Sequence, residues 1–176
     1  SGLGYTLLKC QNLLQCPFIF CANDTLVKED IPGPDANWMG YAEGFNTEEY
    51  RAIKYDKLGK VTGILSKGAH GENIRPYIGL AGINDHTLFW EMMKEGQEQG
   101  SLEIGESYGL KFLLEKNILA KCFTWYDAGN LDSLEEIRKL SHSESDPNIL
   151  EKPDEAIWFV NDKVIKFSID SKFISN

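Results

Sequence analysis

The stretch "ILAKCFTWYDAGNLDSLEEI", residues 118–137, decides what kind of sheet this chain builds. Its first ten residues read as a strand, and "NLDSLEEIRKL", residues 130–140, reads as a helix with Asn130 as its cap. Between them Asp127 stands among two aromatics and a glycine. Strand, carboxylate and helix in that order suit an α/β layered domain. "PFIFCAND", residues 17–24, carries a similar signal: an apolar run opened by Pro17 and ending near Asn23 and Asp24 is expected to be a buried strand.

Working outward, the same alternation continues. "GYTLLKCQNLL" places Leu7, Cys10 and Leu14 at helical spacing ahead of the first strand. "EEYRAIKYDKLGKVTGILSK", residues 48–67, predicts a hairpin turning at Leu58 and Gly59. "RPYIGLAGI" is a further apolar strand, followed by a helix with Asp85 as cap and a stripe of Leu88, Phe89, Met92 and Met93. "GESYGLKFLLEKN", residues 105–117, is a second amphipathic helix. After Leu140, "SHSESDPN" is a polar linker, and "EAIWFVNDKVIKF" predicts two short strands around an Asn161-Asp162 turn. The boundaries expected are an α/β domain over 1–140, a linker over 141–152, and a terminal β-hairpin or the opening of another lobe over 153–176.

Composition limits the partners. With 176 residues, 42% of them hydrophobic, the chain can bury a substantial core. Its net charge of −9 repels phosphate backbones and anionic lipid, which argues against nucleic acid and membrane surfaces. A small anionic substrate would need a bridging cation. No apolar run approaches the roughly 20 residues that span a bilayer. Cys10, Cys16, Cys21 and Cys122 form no CxxC pair and are expected to be buried free thiols, which fits a reducing cytoplasm. His70, His86 and His142 lie in polar contexts without metal-ligand spacing. Trp90 belongs to a helix stripe and is expected in the core, whereas Trp38, in the loop "DANWMGY", is the better candidate for lining a pocket. The acidic runs "EEYR" and "EKPDE" read as solvated surface.

Asp24 and Asp127 share a context, the C-terminal end of a predicted strand, where ligands of open α/β sheets bind. Two converging carboxylates there could hold Mg²⁺ together with substrate phosphates. Equally, Asp24 could begin a turn and Asp127 could cap the following helix. Position alone does not choose between these readings.

The order of segments resembles the sugar-nucleotidyltransferase family and its phosphocholine cytidylyltransferase relatives. "GLGYTLL", residues 2–8, looks like that family's loop and helix that meets the nucleobase, and "FIFCANDTLV", residues 18–27, like the strand that ends in its first metal aspartate. "GYAEGFNTEEYRAIKYDKLGKVTGILSKG" is similar to the stretch that leads through a hairpin to a substrate-contacting lysine. "YIGLAGI" resembles the strand with a glycine beside the acceptor, and "WYDAGN" the motif with the second metal aspartate. The likeness covers roughly residues 1–140 in the right order. It implies a layered, Rossmann-like α/β fold of GT-A type with a mixed sheet. It also implies that Asp24 and Asp127 bind Mg²⁺, that Lys67 contacts the attacking phosphate, that Leu3 and Gly4 meet the base, and that Gly82 leaves room for the acceptor; Trp38, whose aromatic face would attract a quaternary ammonium, is a separate candidate for binding the acceptor. The activity implied is transfer of a nucleoside monophosphate from a nucleoside triphosphate to a sugar 1-phosphate or phosphocholine-like acceptor, with release of pyrophosphate. Its setting would be surface polysaccharide synthesis, capsule or lipopolysaccharide.

The family's N-terminal glycine-rich loop, with an arginine and a later Pro-Lys pair, has no counterpart here. Around Lys67 the chain reads "LSKG", where the family carries an acidic residue before the lysine and a proline after it. The chain is therefore expected to be a fragment of a longer protein. "EAIWFVNDKVIKFSID" resembles the opening strands of a choline-kinase or aminoglycoside-phosphotransferase-like lobe, in which Lys166 would meet ATP phosphates. Two alternatives stand beside transfer: a non-catalytic nucleotide-binding module, and a glycosyltransferase that consumes a nucleotide sugar. A homo-oligomer is compatible with the apolar residues near the tail.

Overall fold

A computed structural model describes residues 2–101, 105–129, 150–152, 155–160 and 163–168. The chain divides into two units, Ser1–Gly129 and Asn130–Asn176.

The spine of the first unit is β6 (Ile74–Ile83). It is antiparallel to β3 (Trp38–Tyr41) on one edge. On the other edge it pairs with β4 (Ala52–Tyr55) along its first half and with β1 (Phe18–Cys21) along its second. The sheet is extended by β5 (Val61–Leu65) beside β4 and by β7 (Leu119–Cys122), which runs parallel to β3. One parallel pair among antiparallel ones makes the six-stranded sheet mixed. In the β4–β5 hairpin, Asp56 Oδ1 accepts from the Leu58 and Lys60 N–H groups at 2.9 Å each, and Gly59 supplies the positive φ of 78°.

Alternation along β6 separates two cores. Tyr77, Ala81 and Ile83 join Phe18, Phe20 and Met39 against the helical layer of α1 (Leu3–Leu8), α2 (His86–Glu98) and α3 (Ser107–Phe112). Phe89, Trp90 and Met93 of α2 are fully enclosed there, and Trp90 stacks on Phe18 with ring centroids 5.2 Å apart. Trp90 Nε1 donates to the Leu14 carbonyl at 2.8 Å, which satisfies its one polar atom. On the opposite face Ile78 and Leu80 meet Trp38, Phe123 and Trp125. Over that face lies an antiparallel ribbon of β2 (Thr25–Val27) and β8 (Trp125–Asp127).

Several expectations are revised. The predicted strand over 118–127 is two strands in different sheets, because the Thr124 N–H is drawn out of the ladder by the Glu29 carboxylate at 2.8 and 3.0 Å. The first helix stops at Leu8, and residues 9–13 continue as turns. Trp38 opens β3 rather than sitting in a loop. Asp85 precedes α2 but makes no cap bond; its Oδ2 accepts from Asn37 Nδ2 at 2.6 Å instead. The four thiols are free, but Cys16, Cys21 and Cys122 are exposed and Cys10 is half-buried. The reason is register, since Cys21 falls on the outward-facing position of β1.

In the second unit β9 (Leu150–Lys152), β10 (Glu155–Val160) and β11 (Lys163–Ser168) form an antiparallel sheet in the order β9-β10-β11. Both strands of the predicted hairpin are present, and β9 takes up three residues assigned to the linker. The helix expected over 130–140, with its cap Asn130, and His142 lie outside the described residues. Among the described residues no helix is long and apolar enough to cross a membrane.

Candidate active site

The β2–β8 ribbon carries the two carboxylates singled out by sequence. Asp24 occupies the turn between β1 and β2, and Asp127 ends β8 opposite Thr25. The Ala128 N–H closes onto the Asp24 carbonyl at 2.8 Å, which ties the two segments together. Both side chains converge on Gly129. A Cβ built there would lie 2.9 Å from Asp127 Oδ1 and 3.2 Å from Asp24 Oδ2, so among the described residues the absence of a side chain at position 129 leaves room between the carboxylates.

The central strand sets the Asp24 turn in place. Gly79 has φ 70° inside β6, and the β3–β6 register shifts between Met39 and Tyr41. A bulge of this kind re-aims backbone groups near a site. The Gly79 carbonyl accepts from the Ala22 N–H at 2.8 Å, and Thr25 Oγ1 donates to the Ile78 carbonyl. A Cβ on Gly79 would sit 2.7 Å from the Ala22 Cβ, so this close approach also requires glycine.

Two donors among the described residues orient Asp127. Gly129 N–H reaches Oδ1 at 2.9 Å, and the Tyr50 hydroxyl reaches Oδ2 at 2.7 Å. Burial, then the bond to Asp127 and the negative charges of Asp127, Glu49 and Asp24, hold the Tyr50 hydroxyl well above the usual phenol range. It therefore remains a donor at neutral pH. Partial burial, with Asp24 as the second cause, likewise raises the Cys21 thiol.

Two carboxylate oxygens flanking one open gap suit a hard divalent cation bound through oxygen. The gap that a Cβ would fill is the observation that supports this fit. Among the described residues no group of three or more His, Cys, Asp or Glu converges, which leaves the remaining positions to water and substrate oxygens in such a site.

The other sequence candidates are distributed differently. Lys67 is exposed on the turn after β5. The Thr47 carbonyl accepts from Gly68 N–H at 2.7 Å, and Thr47 Oγ1 donates to the Ala69 carbonyl at 2.7 Å, so the turn is tied to the segment that leads to Tyr50. Gly4 is buried in α1, and Leu3, 51% exposed, lies against Gly105. α1 packs on α2 in the helical layer.

Gly82 and Trp38 are brought together by packing. A Cβ on Gly82 would lie 2.1 Å from Trp38 Nε1, and Trp38 is 2% exposed with that nitrogen donating to the Gly33 carbonyl at 3.0 Å. The room that Gly82 leaves is filled by the indole. Tyr50, Thr25, Gly79 and Gly129 were missed as site residues. A glycine inside a strand pattern, which marks a bulge or close approach, was the available signal for Gly79.

Neither a family model nor a curated protein matches the sequence. Solved structures do match the fold. UDP-glucose pyrophosphorylase complexed with UDP-glucose aligns at a TM-score of 0.65 and 19% identity over 80% of this chain and 61% of that one. The chain has the sugar-nucleotidyltransferase fold. CTP:phosphocholine cytidylyltransferase from Streptococcus pneumoniae aligns at 0.62 and 10% identity, over 80% of this chain and 64% of that one. The inositol-1-phosphate CTP transferase from T. maritima aligns at 0.55 and 11%, over 79% and 60%. The chain thus spans about three-fifths of the length of these nucleotidyltransferases.

Proposed function

We propose that this chain is the carboxylate-bearing part of a Mg²⁺-dependent nucleotidyltransferase. In the reaction, an oxygen of a phosphorylated acceptor, a sugar 1-phosphate or a phosphocholine-like compound, bonds to the α-phosphorus of a nucleoside triphosphate. The bond from that phosphorus to the β-phosphate bridging oxygen breaks, and pyrophosphate leaves. Supporting this reading is the convergence of Asp24 and Asp127 on the side-chain-free position Gly129, on a fold shared with nucleotidyltransferases.

Asp24 and Asp127 would hold the cation, which when bound supplies positive charge to the phosphoryl oxygens. Lys67 brings a mobile ammonium that can pair with the acceptor phosphate, a point charge suited to this task. Tyr50 keeps its proton and directs it at Asp127. No side chain has to act as a covalent nucleophile. A product of this class would feed the synthesis of surface polysaccharide in capsule or lipopolysaccharide, and the surroundings of the reaction would be cytoplasmic.

The test is pyrophosphate release by the full-length protein with Mg²⁺, across four nucleoside triphosphates and a panel of sugar 1-phosphates and phosphocholine. One pair is expected to turn over, and Asp127→Asn is expected to lower that rate roughly 100-fold or more. A folded, nucleotide-binding protein that releases pyrophosphate with no pair would overturn the proposal in favour of a binding module.

A further inference from the structure

We propose that Tyr50 is a positioning residue for Asp127, fixing one carboxylate oxygen so that the other borders the gap shared with Asp24. The proposal rests on the metal reading of those two carboxylates. Tyr50 Oη donates to Asp127 Oδ2 at 2.7 Å, whereas it is Oδ1 that lies beside the Gly129 gap. A ligating carboxylate held from behind in this way has a defined rotation about its Cβ–Cγ bond, and such outer hydrogen bonds tune metal affinity.

The phenol ring is itself located by packing. It meets the indole of Trp125 edge to face with centroids 4.9 Å apart, and Phe45 flanks the same indole at 4.8 Å. Trp125 is 6% exposed and belongs to the core beneath the ribbon, so this side of Tyr50 is walled by rigid aromatic surface.

The backbone of Tyr50 is anchored as well. Its N–H donates to the Thr47 carbonyl at 3.3 Å, the same carbonyl that receives Gly68 N–H at 2.7 Å from the Lys67 turn. Thr47 is buried, and its hydroxyl adds the bond to the Ala69 carbonyl at 2.7 Å. The Asp127 carboxylate and the turn that bears Lys67 therefore share one anchor, residues 47–50. The segment 47–50 thus joins two groups that lie 60 residues apart in sequence, Asp127 through the Tyr50 hydroxyl and the Lys67 turn through Thr47.

Tyr50→Phe removes the donor and keeps the ring. Mn²⁺ would be titrated into the full-length wild type, Tyr50→Phe and Asp127→Asn, with bound ion read by electron paramagnetic resonance. Tyr50→Phe is expected to weaken Mn²⁺ binding roughly tenfold. Its unfolding temperature and aromatic circular dichroism should stay close to wild type, and Asp127→Asn should lose at least as much affinity. Tyr50→Met, a second donor-free variant with an adaptable apolar side chain, guards against a misfolded Phe protein and should show the same loss. Wild-type affinity in the folded Tyr50 variants, beside a weakened Asp127→Asn, overturns the positioning role and leaves the metal reading standing. Unchanged affinity in Asp127→Asn removes the metal reading and this proposal together.

Discussion

Two glycines of similar appearance in the sequence do different work. At Gly129 the missing side chain keeps open a gap between two carboxylates, with the nearest oxygens 2.9 and 3.2 Å from where a methyl would stand. Gly129→Ala is therefore expected to lower Mn²⁺ affinity about tenfold, while urea unfolding shifts by less than about 0.5 kcal/mol because the position is exposed. Wild-type affinity in that variant would sink the shared-gap reading. At Gly82 the missing side chain makes room for Trp38, and a methyl would meet the indole nitrogen at 2.1 Å. Gly82→Ala is expected to cost about 1–3 kcal/mol through overpacking, measured by urea unfolding; a loss under about 0.5 kcal/mol would contradict the packing account. The family resemblance marked Gly82 and passed over Gly79, and both interrupt the same apolar run. Gly79 has a positive φ of 70° and receives the Ala22 N–H at 2.8 Å, a contact with a distant segment that local composition does not reveal.

Among the elements, the β2–β8 ribbon was the least legible. Its strands are three residues each and 98 residues apart in chain position at their closest, and neither has enough alternation to declare a pairing. A side-chain clip accompanies that pairing. Glu29 accepts from Thr124 N–H at 2.8 and 3.0 Å and from Thr124 Oγ1 at 2.6 Å, and Lys28 N–H donates to the Thr124 carbonyl at 3.1 Å. The hydroxyl bond, foremost, holds the Glu29 carboxyl below the ordinary glutamate range. A depressed folded-state value means that the clip stabilises the fold above the unfolded glutamate range and loses that contribution as pH falls through the folded value. Urea midpoints measured from neutral pH down to about pH 3 should show Glu29→Gln weaker than wild type at the top of the range, with the two converging at the bottom. A gap that persists unchanged at low pH would show that the carboxylate charge is not what holds the clip. By contrast α2, β6 and the β4–β5 hairpin were readable, because each is specified by periodicity or turn chemistry within its own residues.

At the scale of the molecule, the unit Ser1–Gly129 is a mixed sheet with helices on one face and a β-ribbon on the other. The sequence by itself determined the alternation of strands and helices, the acidic balance of −9 that disfavours polyanions, and the two aspartates at strand ends. These follow from local spacing and from charge, which need no knowledge of distant contacts. Only the tertiary structure decided that Asp24 and Asp127 meet at Gly129, that Tyr50 joins them, and that Trp38 occupies the space beside Gly82. The physical reason is that these are contacts between segments tens of residues apart. They are made by a bulge in the central strand and by side chains whose direction is set by sheet register, and a one-residue change in register turns a site residue into a core residue.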